Sequence, residues 1–178
     1  MATPKDDMLT KVSTEGATDF VQLYHSALSS NKSSIASFYS SAITNILFNG
    51  NVIADGAAVE DIFTNQLPTT RHDIQSVDCQ IINKAYPTTK PGNTARENAK
   101  NISMLVTVSG SVQYGGKDSP QHGFSETFVL IPNTESKEKN RKDWLIQTQS
   151  DDESPIEKSH HKLKTRPSIS DGKHLYIA

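Results

Sequence analysis

A single cysteine, Cys79, stands among the 178 residues. One thiol excludes a disulfide framework within the chain and suits a reducing compartment. Long apolar runs are missing too: no stretch approaches the roughly 20 residues that a bilayer-crossing helix needs. The opening MATPKDDMLTKVSTEG has no apolar centre of the kind a secretory leader carries. The expectation is an intracellular protein with no membrane partner, in which the sequons at Asn31 and Asn101 carry no glycan. Catalytic motifs are equally scarce. YGGKDS (114–119) lacks the first glycine and the Ser or Thr of a phosphate-binding loop and reads as a hairpin turn. There is no Gly-x-Ser-x-Gly elbow. His160-His161 has no spaced cysteine or carboxylate partner, so neither a metal nor any other cofactor is expected. His72-Asp73 beside Asp78 is the one acid/base candidate. Hydrogen bonding within a strand is the favoured reading of those three residues.

What is present is periodicity. The length suits one domain with a sizeable core and some surplus for loops or a tail. Phe20, Leu23, Tyr24, Ala27 and Leu28 recur at spacings of three and four behind a cap at Thr18 or Asp19, which predicts a helix. A shorter helix is expected from Lys32 through Ile35, Phe38 and Tyr39. Asn49-Gly50 between two apolar stretches is the strongest short hairpin signal available. Val59, Ile62, Phe63 and Leu67 return to helical spacing and stop at Pro68.

From there onward the chain reads as strand. In LPTTRHDIQSVDCQIIN (67–83), Val77, Cys79 and Ile81 alternate, but Ile74 sits at odd spacing from Val77. A β-bulge, whose extra residue reverses side-chain parity and bends the strand, would bring all four to one face. NISMLVTVSGSVQYGG alternates cleanly, with Ile102, Met104, Val106, Val108, Val112 and Tyr114 on one side and Ser103, Leu105, Thr107, Ser109, Ser111 and Gln113 on the other. GFSETFVLIP and WLIQTQS supply two more strands. The fold class expected is α+β: a curved antiparallel sheet packed on about three helices. Residues 1–14 are expected to be a flexible N-terminus, 15–151 the domain with long polar loops at 84–100 and 133–143, and 152–178 a C-terminal extension.

The order of elements, together with LFNGNVIADG (47–56), LPTTRHDIQSVDCQII (67–82), VSGSVQYGG (108–116), FSETFVLIPN (124–133) and WLIQTQSD (144–151), resembles the nuclear transport factor 2-like family. Within it the chain is most similar to the small subunits of fungal messenger-RNA export receptors, from about Phe20 to Asp151. The resemblance implies a non-enzymatic subunit that pairs, sheet face to sheet face, with the related domain of a large subunit. Such a pair carries ribonucleoprotein through nuclear pores and meets Phe-Gly repeat nucleoporins as a complex, shuttling between nucleus and cytoplasm. The partner-facing residues would be Asp78, Gln80, Leu105, Thr107, Ser109 and Thr127. The sequence departs from the family at one place: Ser150-Asp151 is followed by Asp152, Glu153 and Ser154, where an aromatic-basic-aromatic ending is usual. The basic residue that in the family commonly pairs with a partner carboxylate is missing here, so that contact is not expected to be made in the usual way.

Two other functions remain open on the same fold. One is a homodimeric import carrier for the nuclear small GTPase, for which KDSPQH (117–122) is a poor acidic patch. The other is an isomerase or dehydratase built on His72, Asp73 and Asp78. Finally, Lys84, Lys90, Arg96 and Lys100 share one loop and Lys137, Lys139, Arg141 and Lys142 another. Because the whole chain carries only -2, its body must be acidic. Weak, sequence-independent RNA binding through Lys137, Lys139, Arg141 and Lys142 is expected from that segregation.

Overall fold

The computed structural model describes residues 3–42, 45–88, 92–134 and 142–155. Helix α1 spans Pro4–Ser30, well ahead of the cap expected at Thr18 or Asp19, so residues 4–14 are not a flexible terminus. The reason is local. Thr3 and Asp6 form a reciprocal capping box with Pro4 at the first helical position. Leu9 and Val12 then extend the buried stripe of Phe20, Val21, Tyr24 and Leu28 backwards. The shorter helix expected from Lys32 is a 3-10 helix, Lys32–Phe38.

The hairpin β1 (Asn45–Phe48) and β2 (Asn51–Ile53) turns at Asn49 and Gly50, both with positive φ, as the Asn-Gly pair foretold. Helix α2 (Gly56–Asp61) widens into a π-turn (Ile62–Gln66) and ends before Pro68. Long strands β3 (Thr70–Asn83), β4 (Ser103–Tyr114), β5 (Gln121–Pro132) and β6 (Trp144–Pro155) complete the chain. β6 thus carries four residues beyond Asp151 into the sheet, where an extension was expected. The 84–100 segment contains a short helix, α3 (Ala95–Ala99), with its own Thr94/Glu97 capping box.

The six strands form one sheet in the order β2-β1-β6-β5-β4-β3. All neighbours are antiparallel except β1 and β6, which run parallel. The bulge expected in β3 is there: register shifts between Ile74 and Ser76, with Gln75 as the extra residue. Ile74 pairs with Gly110 and Val77 with Val108, so Ile74, Val77, Cys79 and Ile81 all face the same side. Gly110 is required there, because a Cβ at that position would lie 2.1 Å from the Asp73 carbonyl.

The core lies between this sheet and α1. Ile102, Met104, Val106, Val108 and Val112 of the clean alternation are all fully buried. Phe20, Tyr24, Phe38 and Phe128 pack edge to face around them. Gly16 allows the Trp144 indole to approach α1; an added Cβ would stand 2.5 Å from its Nε1. The 84–100 segment is tied to the body by ion pairs, Arg96–Glu15 at 2.7 Å, Lys84–Asp6 at 3.4 Å and Lys100–Asp143 at 2.7 Å.

Candidate partner interface and a buried acid cluster

Strand pairing aligns the outer residues of the sheet into rows. Asp78, Thr107, Thr127, Ser150, Leu47 and Val52 make one row across all six strands. Gln80, Leu105, Val129, Thr148 and Asn45 make the next, and Ser76, Ser109, Ser125 and Asp152 the one before. The structure therefore brings Asp78, Gln80, Leu105, Thr107, Ser109 and Thr127 together on the face turned away from α1. Asp78, Gln80 and Thr107 are exposed, and Leu105, Ser109 and Thr127 half-buried. Short hydroxylated side chains leave this face low in relief, which permits close approach of a second flat surface. Leu47 and Val52 stand 38% and 80% exposed at its edge; these apolar groups gain from cover.

The inner face carries the opposite surprise. Glu126 and Asp151 are cross-strand neighbours there, 3% and 6% exposed, with few compensating cations. His25 of α1 meets Glu126 at 2.9 Å through Nε2. Its Nδ1 lies 2.9 Å from the Val21 carbonyl, an acceptor, while Nε2 faces the Glu126 carboxylate, and this arrangement favours the imidazolium. Burial alone would lower the His25 pKa; the Glu126 charge and the Val21 carbonyl outweigh it and raise the value. The His72 ring packs edge to face with His25, centroids 5.1 Å apart, and its pKa is driven down to about 4 by burial and by that neighbouring charge. Gln149 bridges Glu126 (3.2 Å) and the Tyr24 hydroxyl (3.2 Å), and accepts from Tyr39 at 2.5 Å. Asp151 has an Oδ1 without a hydrogen-bond partner. Burial, then the charges of Glu126, Glu153 and Asp152, push its carboxyl up to about 9. Burial among like charges thus favours the protonated, neutral form of Asp151.

These residues escaped the sequence reading, although a signal existed. Glu126 shares parity with Phe124 and Phe128, and His25 follows Tyr24 on the apolar stripe of α1. A charged residue on an apolar stripe marks such a cluster. The acid/base trio read from sequence is instead separated. His72 pairs with Val112 on the inner face, whereas Asp73 and Asp78 pair with Ser111 and Thr107 on the outer one, so no shared site forms. A cavity of about 150 Å³ lies elsewhere, between α1 and the start of β6, with Phe20, Leu23, Phe38 and Trp144 in its wall.

Of the basic residues considered for RNA, Lys90, Lys137, Lys139 and Arg141 lie outside the described residues. Lys142 sits 4.1 Å above the Phe38 ring and donates to Ser37 Oγ at 2.6 Å. Lys84, Arg96 and Lys100 are held in the ion pairs given above.

A known family model, the nuclear transport factor 2 (NTF2) domain, matches residues 16–146, the span that holds the NG hairpin and the bulged β3. The chain belongs to the nuclear transport factor 2 domain family. An "NTF2-related export protein" of Caenorhabditis elegans is 29% identical over 111 residues, 62% of this chain and 71% of that protein. Among solved structures, the Chaetomium thermophilum Mex67 NTF2-like domain complexed with Mtr2 contains a chain similar at a TM-score of 0.68 and 23% identity. That match covers 80% of this chain and 98% of the other. A Mex67:Mtr2 structure with a bound Sac3N peptide is similar at 0.67 and 23%, covering 80% and 99%. At these identities the structural likeness establishes the family fold.

Proposed function

We propose that this chain is the non-enzymatic small subunit of a messenger-RNA export receptor. Its outer sheet face seats on the related domain of a large subunit, and the pair carries ribonucleoprotein through nuclear pores. Phe-Gly nucleoporins engage the complex, and the chain shuttles between nucleus and cytoplasm. The observation that carries this reading is the outer face itself: Thr107, Thr127 and Ser150 aligned across three strands, flanked by Leu105 and Val129 and edged by exposed Leu47. Short side chains in register suit sheet-on-sheet packing at about 10 Å. The resemblance to export-receptor small subunits and the name of the nematode relative agree with it.

The 150 Å³ cavity is lined by Phe20, Leu23, Phe38 and Trp144 and does not include His25 or Glu126, so the acid cluster does not share its wall. The test is co-expression of the full chain with the large subunit's related domain, followed by light scattering. A 1:1 complex that survives gel filtration is expected. A stable homodimer indifferent to that domain would favour the import-carrier reading and overturn this one.

A further inference from the structure

The outer face is polar in one sense only. Asp73, Asp78 and Asp152 all project from it, each exposed, and none forms an ion pair among the described residues. Asp152 is added by the β6 extension, in the row of Ser76, Ser109 and Ser125. Arg71, at the far end of β3, is the one basic side chain placed on this face by the described pairings. With strands about 4.8 Å apart and about 3.3 Å per residue, four strands over ten residues offer on the order of 600 Å². The β1–β2 edge brings this near the roughly 800 Å² that one partner contributes to a standard interface. So large a contact necessarily covers the carboxylates. A second copy of this chain would set the same three aspartates of each protomer into one layer, and like charges so juxtaposed are repulsive.

We infer that the surface received by this face is cationic. It is a partner sheet that sets Lys or Arg side chains opposite Asp73, Asp78 and Asp152, with apolar side chains opposite Leu105 and Leu47. The inference rests on the proposal that a related domain sits here, and it adds the polarity: acid on this subunit, base on the other. It also explains how an ending of Asp-Glu-Ser after Asp151 remains compatible with pairing, since the chain supplies the anion of the contact. The same polarity keeps the chain from closing on itself and speeds encounter with the correct surface.

The test measures association of the full chain with the large subunit's related domain by stopped flow, at about 50 and about 300 mM salt. The wild-type rate is expected to fall about tenfold between the two salts, because steering of this kind is screened beyond a Debye length. Asp73→Lys, Asp78→Lys and Asp152→Lys together should slow association at low salt about tenfold or more, with an unchanged circular-dichroism melt. Reversing Asp7 and Asp19 on α1 should leave the rate within about twofold. If the lysine variant does not fold, the near-isosteric triple change to Asn carries the test and should flatten the salt slope. A reversed or amide variant that associates as fast as wild type, or a wild-type chain that homodimerises at low salt, overturns the polarity. A wild-type chain that never binds the domain at either salt overturns the proposed function instead, and the two failures are thereby distinct.

Discussion

The two faces of the long strands differ more than their shared backbone suggests. On the inner face, β4 presents Met104, Val106 and Val108, all fully buried beneath aromatic rings of α1 and the 3-10 helix. One residue away, Leu105, Thr107 and Ser109 face outward among other short side chains. Yet the most deeply buried carboxyls, Glu126 and Asp151, belong to the apolar face, while the aspartates of the polar face remain in water. Burial there does not sort residues by polarity. It sorts them by parity along the strand, and the inner polar groups survive only through specific partners: His25 for Glu126, and a retained proton for Asp151.

The strongest way to break the comparison uses neighbouring residues. Val106→Glu places a charge in the core without a cation and is expected to cost more than about 4 kcal/mol, unfolding the domain. Thr107→Glu should leave the thermal melt within a few degrees. In a complex it would bury an uncompensated charge, costing about 3–5 kcal/mol of binding. Parallel melts and co-purification check both; wild-type yield of complex from Thr107→Glu would sink the interface assignment.

Glu126→Gln sharpens the inner face. It removes the anion beside His25, so at pH 5 the buried ring must either stay charged without a partner or give up its proton, at a cost of about 3 kcal/mol. As pH rises and the neutral ring comes to predominate in the wild type as well, the cost falls to about 1 kcal/mol. Urea melts at pH 5 and at higher pH measure the difference, and equal costs would mean that His25 is neutral throughout.

The third prediction concerns the pH profile of the wild type. Asp151 has a folded pKa near 9 against 3.8 unfolded, so its contribution is complete below 3.8 and is lost as pH rises towards 9. His72, lowered from 6.5 to about 4, acts oppositely and costs stability as pH falls through that window. The two slopes offset one another between pH 4 and 6.5. Above 6.5 the opposing His72 slope is gone, the Asp151 slope is joined by that of the raised His25, and stability should decline by at least about 1 kcal/mol per pH unit. Asp151→Asn should remove most of that decline. A wild-type curve flat from pH 6.5 to 9 would contradict a neutral Asp151.

The smallest effect is expected from the basic residues of the 133–143 segment. Changing Lys137, Lys139, Arg141 and Lys142 together to Ser should weaken RNA binding by the heterodimer and reduce its salt slope, through lost counterion release. Unchanged affinity at two salt concentrations would make that segment a solubilising linker.

Some of this molecule is legible in the chain of residues because the information is local. Asn49-Gly50 demands positive φ, Pro68 ends a helix, and the odd step from Ile74 to Val77 requires a bulge. The start of α1 was local as well, written in Thr3, Pro4 and Asp6, but a stripe as thin as Leu9 and Val12 does not announce a helix until Trp144 and the 84–100 segment are packed against it.

Alternation by itself determined that each long strand has two unlike faces, because successive side chains in an extended backbone point opposite ways. Only the tertiary structure decided what those faces became. Antiparallel register set Glu126 beside Asp151, and α1 brought His25 over them. The β3 bulge put His72 inside while Asp73 and Asp78 stayed outside. Contacts between residues as distant as His25 and Glu126 depend on strand order and helix docking, and no periodicity within one segment carries that information.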